Sequence, residues 1–178
     1  GYDDDFALLR LSGGVLSGLI TGPLLHDRVA VGSDGRIVAT LDKFNAGAYD
    51  IELSSWGPDL VLDWSGLAFD RPQSIVLARL GALDDGFYVA GALVEGNEQD
   101  PWFQRFTLAA DGSVVPHEEL WRPSEDGFFT YAHRGGEGAL FLGQEGGGGS
   151  TLRKYGEDLS LIWSRDTEVN GQTHTPRR

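Results

Sequence analysis

Side chains able to do chemistry are scattered through this 178-residue chain and form no recognisable motif. The histidines His26, His117, His133 and His174 stand alone, without the His-x-His or His-x-x-x-His spacing that puts two imidazoles on one metal. The acidic runs Asp3-Asp4-Asp5, Asp84-Asp85 and Glu125-Asp126 carry the oxygens calcium favours. None follows the Asp-x-Asp-x-Asp-Gly loop pattern, and turn and solvation roles account for them. Glu118-Glu119 cannot be a catalytic pair by adjacency, because neighbours on a strand point to opposite faces. Ser17, Ser74 and Ser113 lack a Gly-x-Ser-x-Gly setting, and no cysteine offers a thiolate. The run Gly146-Gly147-Gly148-Gly149-Ser150 lacks the lysine and following helix of a phosphate cradle and reads as a flexible hairpin loop. No catalytic residue, metal site or cofactor is therefore expected.

Composition narrows the partners. Forty per cent of the residues are hydrophobic, which is a globular proportion, and the net charge is −13. An acidic surface repels phosphate backbones and anionic lipid, so neither nucleic acid nor a membrane surface is an expected partner. No apolar run approaches the roughly 20 residues that span a bilayer. The absence of cysteine excludes disulfides and leaves the redox compartment open. Methionine is absent too, and the opening Gly1-Tyr2-Asp3-Asp4-Asp5 suggests a processed product or a piece of a longer polypeptide.

The elements that must position any site are strands. Apolar segments of five to nine residues alternate with Gly, Asp, Ser, Asn and Pro clusters, and no amphipathic helical period survives a dozen residues. The pattern predicts strands at Phe6–Leu11, Val15–Thr21, Arg28–Gly32, Arg36–Lys43, Tyr49–Ser55 and Leu60–Trp64. It continues at Ser74–Leu80, Phe87–Val94, Trp102–Leu108, Ser113–Leu120, Phe128–Ala132, Ala139–Gln144, Thr151–Tyr155 and Leu159–Ser164. Ser33-Asp34-Gly35, Asp84-Asp85-Gly86 and Ala110-Asp111-Gly112 each separate two such runs and suit tight hairpins.

The strands repeat in groups of four. Gly35, Gly86 and Gly138 mark the first hairpin of successive units about 50 residues long, and Asp59, Asp111 and Asp158 each open a fourth strand. Four strands per period of this length indicate β-propeller blades. The expected fold is all-β: a partial blade at 1–21, blades at about 26–65, 74–121 and 128–165, and a C-terminal tail at 166–178. About three and a half blades of four antiparallel strands fall short of the four that a closed ring needs. An open arc, or part of a larger propeller with further blades of the same polypeptide, is the expectation.

The segments Asp85-Gly86-Phe87-Tyr88-Val89-Ala90-Gly91, Trp102-Phe103-Gln104-Arg105-Phe106, Ala110-Asp111-Gly112-Ser113-Val114 and Arg153 to Trp163 resemble the tandem propeller repeats of bacterial extracytoplasmic proteins. That resemblance implies an extracytoplasmic or secreted setting. In such a fold His133-Arg134 would end an innermost strand near the central channel, with Arg79 in a similar place, so Arg79, His133 and Arg134 are the candidate ligand-binding residues. The function expected is a non-enzymatic scaffold presenting loops to a protein or a small ligand. The alternative is a propeller-fold hydrolase or lyase with acid/base residues converging on the channel mouth.

Overall fold

A computed structural model describes residues 5–12, 15–23, 28–45, 48–69, 71, 73–122, 125–135, 138–146 and 149–167. His26, His174, the acidic residues 3 and 4 and the tail 168–178 lie outside them. The described chain is nearly all strand and has no α-helix. The strands are β1 (Asp5–Ser12), β2 (Val15–Pro23), β3 (Arg28–Val31), β4 (Ile37–Asn45), β5 (Ala48–Trp56), β6 (Leu62–Phe69) and β7 (Ser74–Leu83). They continue as β8 (Gly86–Glu95), β9 (Glu98–Leu108), β10 (Val114–Trp121), β11 (Phe128–Arg134), β12 (Leu140–Gly146), β13 (Gly149–Tyr155) and β14 (Leu161–Thr167).

Strands β1 and β2 form a hairpin. The other twelve form three four-stranded antiparallel meanders, β3-β4-β5-β6, β7-β8-β9-β10 and β11-β12-β13-β14, called here the first, second and third sheets. Among the described residues no sheet closes on itself.

One turn recurs and explains much of this regularity. In Gly32–Arg36, Gly57–Val61, Ala109–Ser113 and Gly156–Ser160 the first residue donates to the carbonyl of the fifth, and the fourth donates back to the first. The third residue is always Asp, and its Oδ1 accepts the amide two residues on, at 3.0–3.3 Å. The fourth residue needs positive φ, which Gly35 (82°) and Gly112 (79°) adopt without steric cost. Leu60 (67°) and Leu159 (59°) take the same conformation at a cost of about 1 kcal/mol. Each recovers that cost by packing: Leu60 joins Ile37, Ala39 and Trp56, and Leu159 joins the core between the second and third sheets.

Period-two alternation sorts the side chains into two seams. From β8, Phe87 and Val89 face the first sheet, where they meet Ala30, Val38, Ile51, Leu53 and Phe69 together with Trp102 and Phe106. Phe69 lies edge-on to Trp102 (5.6 Å), and Phe106 stacks on Phe87 (5.7 Å). Tyr88 and Ala90, next in sequence, face the third sheet with Phe103 and meet Phe129, Ala132, Leu140, Leu142 and Tyr155. The second sheet is thus buried on both sides, which is why β8 reads as one continuous apolar run.

Strands β6 and β7 run further than the sequence pattern predicts, through Gly66 and Gly81. An aromatic ring covers each glycine. A Cβ on Gly66 would stand 2.9 Å from the Trp64 ring, and one on Gly81 would stand 2.5 Å from the ring of its cross-strand partner Tyr88. Glycine here makes room for a ring and does not end the strand. Strand β9 likewise starts at Glu98, four residues early, and carries its hairpin up to the turn at Gly96.

Candidate functional site

The three residues singled out from sequence go to three different environments. Arg134 closes β11 opposite Leu140 and turns toward the second sheet, where its Nη1 lies 3.9 Å from Asp85 Oδ2 and its Nη2 3.9 Å from Glu118 Oε1. Arg105, on β9, holds the same two carboxylates more tightly, with Nη1 2.6 Å from Glu118 Oε2 and Nη2 2.9 Å from Asp85 Oδ2. Two guanidinium groups and two carboxylates therefore bridge the second seam at its turn-bearing end. Burial raises the Glu118 carboxyl, but the hydrogen bond and charge of Arg105, aided by Arg134, outweigh it and hold the group below its ordinary value. Arg105 is correspondingly held above its ordinary value in spite of burial. Glu118 is therefore ionised near neutral pH and is charge-paired with Arg105 and Arg134 across the seam.

His133 points the other way. It lies on the outer side of the third sheet, its ring 6.4 Å from that of Tyr131 and 6.4 Å from that of Phe141. Phe141 continues to Trp163 at 6.2 Å, and Lys154 and Arg165 sit over the Phe141 and Trp163 rings. Arg79 is two pairs along in register, opposite Ala90, while Gly81 holds the place equivalent to His133. Arg79 is exposed and lies at the Tyr88 hydroxyl, which the Ala132 backbone also holds. Burial pushes that hydroxyl up, and these two contacts draw it partly back. Among the described residues the structure thus joins Arg134 to carboxylates but brings neither His133 nor Arg79 to them.

A second charged group occupies the other end of the same seam. Glu125, in the segment between β10 and β11, accepts from Arg153 of β13 (Nη2, 2.6 Å) and lies 3.3 Å from Arg122 Nε. Arg122 also stacks over the ring of Tyr155 at 5.8 Å. Beside them opens a cleft of about 510 Å³, lined by Arg122, Glu125 and Arg153 with Gln144, Thr151, Leu161, Ser164 and Asp166. Gln144 is 8 % exposed, and its Oε1 has no hydrogen-bond partner among the described residues. Burial raises the Tyr155 hydroxyl, and Arg122 and Arg153 partly offset it.

Sequence reasoning missed Arg105, Arg122 and Arg153. A usable signal existed for two of them: Arg105 and Arg153 each interrupt the third strand of a repeat beside apolar neighbours. Glu118 and Glu119 do separate as adjacency requires. Glu118 serves the second seam, while Glu119 accepts from Trp102 Nε1 (2.8 Å) and pairs with Arg71.

Among the described residues one hydroxyl–imidazole contact exists, Thr107 Oγ1 to His117 Nε2 at 2.8 Å, with His117 exposed and Thr107 half-buried. Among the described residues no carboxylate orients the imidazole from its other side, so the pair lacks the third member of a nucleophile relay. Among the described residues, too, no three metal-binding side chains gather, and no helix is long and apolar enough to cross a membrane. No family model matches the chain, and no curated protein matches it.

Proposed function

We propose that this chain is an arc of β-propeller blades acting as a non-enzymatic scaffold that presents turns and clefts to a protein or a small ligand. The blade reading is supported by three successive meanders of one design and by the packing of β11 over β7 and β8 as β7 packs on β3 and β5. It agrees with the resemblance to extracytoplasmic propeller repeats and with that setting.

The observation that carries the functional half is the way the charged groups are used. Asp85, Glu118, Arg105 and Arg134 are committed to one another across a seam, as are Glu125, Arg122 and Arg153. A hydrolase of this fold would need carboxylates converging with His133 and Arg79, and among the described residues only Arg134 of the three candidates joins them. The exposed residues of the first strands include Val29, Val31, Val76 and Ala82, which offer no chemistry, beside Arg79, Tyr131 and His133, which stand apart from the paired carboxylates.

Two measurements test the proposal. An experimental structure is expected to relate the three sheets by rotation about one common axis, and unrelated orientations would refute the blade reading. Incubation with chromogenic esters and glycosides is expected to give no turnover. Turnover lost on substituting Arg134→Met would establish the hydrolase alternative instead.

A further inference from the structure

The cleft at the outer end of the second seam carries donors and acceptors in balance. Arg122 and Arg153 contribute two positive charges, and Glu125 and Asp166 two negative ones. An anion entering it would meet two carboxylates, and a cation would meet two guanidinium groups. A neutral polyhydroxylated molecule satisfies both sets at once, because each hydroxyl donates and accepts. We propose that this cleft binds a neutral carbohydrate of one or two rings, a proposal that rests on the scaffold reading above.

Three features favour this ligand class. The polar groups are already held in place: Glu125 clamps both arginines, Arg122 lies over Tyr155, and the Thr151 hydroxyl donates to Asp166 Oδ1 at 2.8 Å. Groups fixed before binding lose little freedom when a ligand arrives. Gln144, more than nine-tenths buried, donates from Nε2 to the Asp126 carbonyl (3.4 Å) and leaves an enclosed Oε1 without a partner among the described residues, an acceptor that a ligand hydroxyl reaches once the side chain turns into the cleft. The volume of about 510 Å³ falls within the roughly 300–1,000 Å³ of small-molecule sites. Leu161 is the single apolar side chain among the described lining residues, which disfavours an apolar guest.

The outer side of the third sheet, although aromatic, fits a sugar less well. Lys154 and Arg165 already cover the Phe141 and Trp163 rings, the surfaces on which a sugar ring would stack.

The test is a two-dimensional amide NMR titration of the whole chain with lactose and with maltose. Saturable shifts are expected at the Gln144 side-chain amide and the Thr151 and Arg153 backbone amides. Half-saturation should fall in the millimolar range, as befits a site with polar contacts and no stacking ring. Gln144→Leu and Thr151→Val, checked as folded from their own spectra, should each weaken binding about tenfold, the scale of one lost hydrogen bond. Absence of any shift at tens of millimolar sugar would overturn the carbohydrate site and leave the scaffold reading standing. Tighter perturbation of the same amides by sulfate or citrate would overturn it in favour of an anion site. Cleavage of either disaccharide in the same tube would establish the site while refuting a non-enzymatic scaffold.

Discussion

The second and third sheets carry the same register and use it differently. In the second, Gly81 lies opposite Tyr88, and the Tyr88 ring folds over the glycine into the seam, 4 % exposed. In the third, His133 lies opposite Phe141 at the equivalent pair, and the side they share stays accessible, with Tyr131 beside them 46 % exposed. A bulge precedes each pair at the same point of the first strand, between Leu77 and Arg79 and between Phe129 and Tyr131. The backbone plan is thus one repeat, and the side chains record which side is covered. In the second sheet, where the third lies against the position, the first strand carries glycine to admit a ring. Where the side is open, it carries an ionisable aromatic.

That contrast can be broken most severely at the ring. Tyr88→Ala should lower the unfolding free energy by about 3–5 kcal/mol, the cost of truncating a buried aromatic, while Phe141→Ala, on the open side, should cost less than half as much. Urea titrations of the two variants check the ratio. Gly81→Val should cost about 1–3 kcal/mol by overpacking, and His133→Ala at the equivalent position should stay within about 0.5 kcal/mol. Equal effects would mean that the two sides are not differently covered.

Next in size is the ionic bridge. Arg105→Met should cost about 2 kcal/mol and Arg134→Met about 1, because Arg105 makes the short contacts and Arg134 the long ones. The same cluster fixes a pH dependence. Glu118 titrates below its unfolded value, roughly 4.3. Its contribution is therefore complete above that value and is lost as pH falls through the folded one. Asp111 and Asp158, held low by the hydroxyl and amide of Ser113 and Ser160, act in the same direction. Acid unfolding followed by circular dichroism should begin at higher pH in wild type than a fit without these groups predicts, and Arg105→Met should flatten the Glu118 component. A small effect is expected at Leu159→Gly as well, where relief of positive φ and loss of a packed side chain nearly cancel, leaving a change within about 1 kcal/mol.

The strands were legible in the sequence because strand and turn chemistry are local. Asp34 and Asp111 announce turns and Phe87 to Val94 a strand, whereas Asp59 and Asp158, read as opening fourth strands, stand in turns that end before β6 and β14 begin at Leu62 and Leu161. The ends at Gly66 and Gly81 were not legible, since whether glycine breaks a strand depends on a ring that arrives over it. The candidate site was legible in part. Arg134 stood out by its place at a strand end, but its partners Asp85, Arg105 and Glu118 come from three other segments, and their meeting is a fact of the seam. His133, one residue away from Arg134, was grouped with it although alternation sends the two to opposite sides.

The leucines at positive φ imply an order of assembly. The turn at Gly112 is comfortable in isolation, so β9 and β10 can pair while the rest of the chain is unfolded. The turns at Leu60 and Leu159 become favourable only once their side chains have somewhere to go, which ties β6 and β14 to core already formed around them. The second sheet, with glycine at both its first and third turns, would then be the nucleus, and the outermost strands of its neighbours would join last. Kinetic φ-values near one for substitutions around Gly112, and near zero around Leu159, are the expected signature. The reverse order would place the nucleus in the third sheet.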